Sequence, residues 1–100
     1  MSAPKVLLIE DESDIQELIH FHLFKASYSV LLAEDGEKGL EMAISNAPDL
    51  ILLDLMLPKK DGITVCKELR EHPLTKDIPI IMITATVSYT HLTLPTILRV

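Results

Sequence analysis

The sequence predicts an α/β fold, a doubly wound parallel sheet with helices on both faces, and three observations carry that prediction. Four short runs, 5–9, 28–33, 49–53 and 78–83, are largely apolar and rich in Leu, Ile and Val, the composition of strands buried on both faces. The segments between them place apolar residues at helical spacing. Strand and helix alternate along the chain, as parallel βαβ units require.

Lys5-Val-Leu-Leu-Ile9 forms the first strand and runs into Glu10-Asp11-Glu12. Ser13 or Asp14 is placed to cap the next helix, in which Ile15, Leu18, Ile19, His22 and Leu23 recur at helical spacing. Residues 14–23 are amphipathic, the mark of a core-facing helix. Tyr28 to Ala33 reads as the second strand. Asp35-Gly36 turns the chain into a second helix carrying Leu40, Met42, Ala43 and Ile44. Asn46-Ala-Pro48 ends it, because proline disfavours helix in the residue before it. Asp49-Leu-Ile-Leu-Leu53 is a third buried strand ending at Asp54, followed by a loop through Asp61-Gly62. A third helix spans Ile63 to Glu71, with Val65, Cys66 and Leu69 on one side. After a polar connection over 72–77, Ile78 to Ile83 forms a fourth strand ending at Thr84-Ala85.

Composition narrows the function. A chain of 100 residues that is 48% hydrophobic allows one small domain with a buried core. Its formal net charge of −6 argues against a nucleic-acid surface. The one local basic pair, Lys59-Lys60, reads as a solvated loop. A lone cysteine, Cys66, cannot form an internal disulfide, so a reducing, cytoplasmic setting is expected. The N-terminus lacks a signal-peptide layout, and no apolar run approaches membrane-spanning length.

The strand ends carry the chemistry. Glu10 and Asp11 follow the first strand, Asp54 ends the third, and a hydroxyl, Thr84, ends the fourth. In open α/β sheets the carboxyl edge of the strands is where ligands bind. Three carboxylates crowded there repel one another, and a hard divalent cation relieves the repulsion. Mg²⁺ prefers oxygen ligands and retains waters, so it suits such a site. Glu12 and Asp14 read instead as solvated loop or cap residues. The histidines His20, His22, His72 and His91 show no metal-ligand spacing, since His20 and His22 cannot share a helix face. Met42, Met56 and Met82 read as packing residues.

In order and spacing, residues 4–86 resemble the receiver domains of response regulators. Val6-Leu-Leu-Ile-Glu-Asp-Glu12 is similar to their first strand and acidic pair. Asp54-Leu-Met-Leu-Pro58 with Asp61-Gly62 is similar to their phosphoacceptor loop, and Ile80-Ile-Met-Ile-Thr-Ala85 to their fourth strand and switch hydroxyl. Leu53-Asp-Leu-Met-Leu-Pro58 and Asp77-Ile-Pro-Ile80 most resemble the class whose receivers precede a winged-helix DNA-binding domain. The resemblance implies a flavodoxin-like sheet of strand order 2-1-3-4. It implies that Asp54 takes a phosphoryl group from a phosphohistidine on a sensor histidine kinase or phosphotransfer domain. It further implies that Glu10, Asp11, Asp54 and the Met56 backbone carbonyl hold Mg²⁺, and that the Thr84 hydroxyl bonds the attached phosphoryl group. Pro58 and Gly62 shape the loop. DNA would be met only through an output domain, and the chain would be a self-phosphorylating phosphoacceptor rather than an enzyme. In receivers the first helix also docks the kinase.

The chain departs from this pattern after Ala85. Receivers continue through an acidic helical stretch, a fifth strand ending in Lys-Pro and a final helix, and no counterpart follows here. Val87-Ser-Tyr-Thr-His-Leu-Thr-Leu-Pro-Thr96 instead resembles the translated read-through of a widely used transposase sequencing adapter, and Ile97 to Val100 fits its index and stop. Residues 1–86 are therefore expected to be a partial receiver domain and 87–100 a non-native tail. A missing fifth strand and last helices would leave an edge of the sheet unpaired, and the chain would be poorly stable and signalling-defective.

Two rival readings fit less well. A phosphatase of the haloacid dehalogenase type also uses a strand-end Asp, but it wants a second Asp where this chain has Met56. A pseudo-receiver, a pure binding module, usually lacks the acidic pair or the acceptor, and both are present. Neither a G-x-G-x-x-G nor a P-loop marks a nucleotide site.

Overall fold

The computed structural model describes residues 3–55, 57, 60–84 and 97–99, with residues 84 and 97–99 described by their backbone alone. Its strands are β1 (Lys5–Ile9), β2 (Ser29–Ala33), β3 (Leu50–Asp54), β4 (Ile80–Thr84) and β5 (Ile97–Arg99), and its helices are α1 (Ser13–Lys25), α2 (Gly36–Asn46) and α3 (Gly62–Glu71). All the strand pairings are parallel, and the spatial order is β2-β1-β3-β4-β5. The expected order 2-1-3-4 is thus observed.

β5 departs from expectation. The outer edge of β4 is not bare, because Met82 to Thr84 pair in register with Ile97 to Arg99. A strand edge is a row of unsatisfied N–H and C=O groups, and any short extended segment within reach can pair with it.

The side-chain alternation of the strands divides the core between two faces. On one face Leu7, Ile9, Ile51, Leu53 and Ile80 pack with Ala43 of α2 and Val65 and Leu69 of α3. On the other, Val6, Leu8, Leu52 and Ile83 pack with Ile19 and Leu23 of α1. Leu7, Leu8, Ile9, Ile51, Leu53, Leu69 and Ile83 are fully buried, each contributing roughly 1.5–3 kcal/mol relative to exposure. This burial on both faces is why the strands read as continuous apolar runs rather than alternating ones.

Helix starts differ in detail from the sequence reading. α1 begins after Glu12, with no side-chain cap, and Ser13 and Asp14 lie in its first turn. Asp35 caps α2, its carboxylate accepting the Lys38 N–H at 2.8 Å, and Gly36 is the first helical residue rather than part of a free turn. Asp61 caps α3 in the same way, accepting from Thr64 at 2.8 Å. α2 closes through Ala47 in the left-handed region, φ 47°, just before Pro48, as expected.

Lys60 is also not simply solvated. Its ammonium pairs with Glu68 of α3 at 2.9 Å and ties the loop after β3 to that helix. Among the described residues no helix is long and apolar enough to cross a membrane.

Candidate functional site

Parallel pairing brings the carboxyl ends of β1 and β3 side by side, Ile9 level with Leu53. Glu10 and Asp54 therefore leave the sheet at neighbouring positions, and Asp11 follows on the β1–α1 turn. One carboxylate oxygen from each of Glu10, Asp11 and Asp54 lies within 4.8 Å of the other two. Glu10 and Asp54 are buried, and Asp11 is exposed. These are three of the residues that the sequence singled out. Thr84 closes β4 at the same edge. The expectations for the Thr84 hydroxyl and the Met56 carbonyl fall outside the described residues.

Two carboxylates at this separation repel by about 3 kcal/mol at an effective dielectric constant of about 20. At Glu10 this repulsion adds to a larger effect of burial. Burial, together with the nearby charges of Asp54 and Asp11, pushes its carboxyl up from the ordinary value of 4.5 to about 7, against a lowering by the Glu12 N–H. That N–H donates to Glu10 Oε2 at 3.1 Å. Glu10 Oε1 is buried and accepts no hydrogen bond among the described residues. A buried acceptor that has no donor among the described residues is costly, and a bound cation would relieve that cost. An oxygen-seeking divalent cation fits all three features: an all-carboxylate donor set, a raised pKa and an orphaned oxygen.

The loop that follows Asp54 is held from below. The Gly62 N–H donates to Leu55 O at 3.1 Å, and a Cβ on Gly62 would come within 2.7 Å of Leu55 Cα and closer still to Asp54 O. Glycine is what lets α3 approach the backbone of Asp54.

A family model described as the response regulator receiver domain matches residues 6–93. The chain belongs to this family. The match runs past residue 87, where the non-native tail is expected to begin. The DNA-binding dual master transcriptional regulator RpaA of Synechocystis is 50% identical over 82 residues, covering 82% of this chain and 34% of that protein. The alkaline phosphatase synthesis transcriptional regulatory protein PhoP of Bacillus subtilis is 48% identical over 81 residues, covering 81% of this chain and 33% of that protein. The chain spans about a third of the length of these curated relatives.

The receiver also resembles solved structures. The receiver domain of the sensor histidine kinase PA1611 from Pseudomonas aeruginosa, which has a magnesium ion coordinated in its active-site cleft, matches with a TM-score of 0.81 and 33% identity, covering 84% of this chain and 69% of that one. The expected membership and flavodoxin-like receiver fold are therefore observed.

Sequence reasoning missed several side-chain contacts, one at the receiver site and the others at the opposite edge of the sheet, where α3 passes into β4. Gln16 Nε2 donates to Glu10 O at 2.5 Å. Thr75, fully buried, donates its hydroxyl to Leu69 O at 2.6 Å. Arg70 donates to the carbonyls of Lys76 and Ile78, both at 2.8 Å, and steadies the entry to β4. All are contacts from a side chain to a distant carbonyl, and such contacts leave no periodic trace in a sequence.

Proposed function

We propose that this receiver accepts a phosphoryl group on Asp54, with Mg²⁺, from a sensor histidine kinase or phosphotransfer domain. The observation that carries the reading is the convergence of Glu10, Asp11 and Asp54 within 4.8 Å around a buried, unsatisfied carboxylate oxygen. The carboxylates of Glu10, Asp11 and Asp54 and the Met56 carbonyl would hold the ion. When bound, Mg²⁺ neutralises charge on the three carboxylates and on the incoming phosphoryl oxygens.

The chain's own residues do the rest. A carboxylate oxygen of Asp54 attacks phosphorus and forms an acyl phosphate, while the bond from phosphorus to the donor imidazole nitrogen breaks and the imidazole leaves. Burial of Asp54 in the rigid end of β3 fixes the nucleophile, so the contribution is chiefly one of positioning. The Thr84 hydroxyl donates a hydrogen bond to the attached phosphoryl group. The receiver catalyses its own phosphorylation and does not turn over a separate substrate. In the parent protein, a cytoplasmic regulator, the modified receiver controls an output domain, and transcription is the output by analogy with the DNA-binding relatives.

The test is to incubate the full chain with acetyl phosphate and Mg²⁺ and to follow its intact mass. A phosphoryl mass gain that needs Mg²⁺ and is absent in Asp54→Asn supports the reading. No gain from a chain that melts cooperatively under the same conditions makes the domain a binding module.

A further inference from the structure

The β1–α1 turn carries two of the three clustered carboxylates, yet α1 starts without a side-chain cap. Gln16 bonds this turn twice. Its backbone N–H donates to Glu12 O at 3.0 Å, and its side-chain amide donates to Glu10 O at 2.5 Å. On its other side the Glu10 N–H donates to Ala33 O at 3.0 Å. The Glu10 peptide groups are thus gripped by β2 through the amide and by Gln16 through the carbonyl. Asp11 sits between Glu10 and Glu12, exposed, so the path of this backbone sets where its carboxylate points.

We propose that Gln16 is a positioning residue for the divalent-cation site, clamping the Glu10–Glu12 turn so that Glu10 and Asp11 converge on Asp54. This rests on the cation reading above. Residues that orient metal ligands without touching the metal typically change affinity by about 10–100-fold when replaced. One neutral clamp on a backbone carbonyl belongs at the low end.

The experiment is a calorimetric titration of the full chain with MgCl₂ at fixed ionic strength, beside the melting temperature of each variant in EDTA. Gln16→Met keeps length and loses the donor, and it should bind Mg²⁺ about 10-fold more weakly. Gln16→Glu keeps shape but turns the donor into an acceptor facing a carbonyl oxygen. Its added negative charge alone would tighten binding, so weaker binding is the signature of positioning.

Unchanged affinity in Gln16→Met, or tighter binding in Gln16→Glu, overturns the proposal while leaving the cation reading intact. An unmodified chain that takes up no Mg²⁺ overturns both. Should a variant fail to fold, the unmodified chain decides. Its Gln16 side-chain amide protons should exchange slowly and shift during Mg²⁺ titration at the same midpoint as Asp11. Amide protons that are solvent-like throughout overturn the proposal.

Discussion

The metal-free receiver should lose stability as pH rises from about 4.5 to about 7, the reverse of ordinary acid denaturation. Glu10 is the cause. Its carboxyl is pushed from 4.5 to about 7 in the folded chain, first by burial and then by Asp54 and Asp11. A carboxyl raised in this way binds its proton more tightly folded than unfolded. The folded state therefore carries no penalty below about pH 4.5 and the full penalty above about pH 7. Each tenfold change in proton affinity is worth about 1.4 kcal/mol, which gives a loss on the order of 3 kcal/mol across that window. Glu10→Gln keeps the shape without the charge, so it should be flatter with pH and more stable than the parent at the alkaline end. Saturating Mg²⁺ should remove most of the slope, because cation binding favours the ionised carboxylates and releases the proton. The assay is urea unfolding at a series of pH values, with EDTA and with Mg²⁺. Stability of the metal-free chain that rises over this window, or a Glu10→Gln variant with the same slope as its parent, refutes the reasoning.

Other predictions test neighbouring parts of the account. Gly62→Ala should cost about 1–3 kcal/mol of stability by overpacking against the Asp54–Leu55 backbone and should also slow phosphorylation of Asp54; a chemical denaturation curve reads the first loss and the phosphorylation rate the second. Leu69→Ala, at a fully buried position, should cost about 2–5 kcal/mol in the same assay. Asp61 has its carboxyl held low by the Thr64 N–H, so its contribution is present above its ordinary value of 3.8 and fades as pH falls through the lowered value. Asp61→Ala should then unfold less steeply with acid than its parent in a circular-dichroism titration. Resequencing the source locus across codon 86 tests the tail: a frame that continues into an acidic helix and a Lys-Pro strand end supports adapter origin, and a frame that reads on to Val100 and stops overturns it.

The residues that were legible in the sequence are those whose signal is collective. Leu7, Ile9, Ile51 and Leu53 lie in continuous apolar runs because both faces of the sheet are covered, and that pattern alone implies parallel strands. Glu10, Asp11 and Asp54 were legible because each stands at or just past a strand end, and parallel pairing collects such ends at one edge. The rest depended on local geometry. Whether Glu12, Ser13 or Asp14 precedes the first helical residue turns on where β1 stops, and three polar residues in a row compete for that place. Lys60 reads as solvated until the loop is seen to lay it across Glu68. The Gln16 clamp needs the turn to be folded before donor and carbonyl meet. β5 pairs Ile97 to Arg99 with the edge of β4, and three residues are too short a run to read as a strand in the sequence.

The most direct test of the central claim is to locate the modification by peptide mapping after exposing the full chain to acetyl phosphate and Mg²⁺. The account predicts one hydroxylamine-labile acyl phosphate, on Asp54, absent when EDTA replaces Mg²⁺ and absent in Asp54→Asn. A phosphoryl group on another residue, or one that forms equally well without a divalent cation, would contradict it.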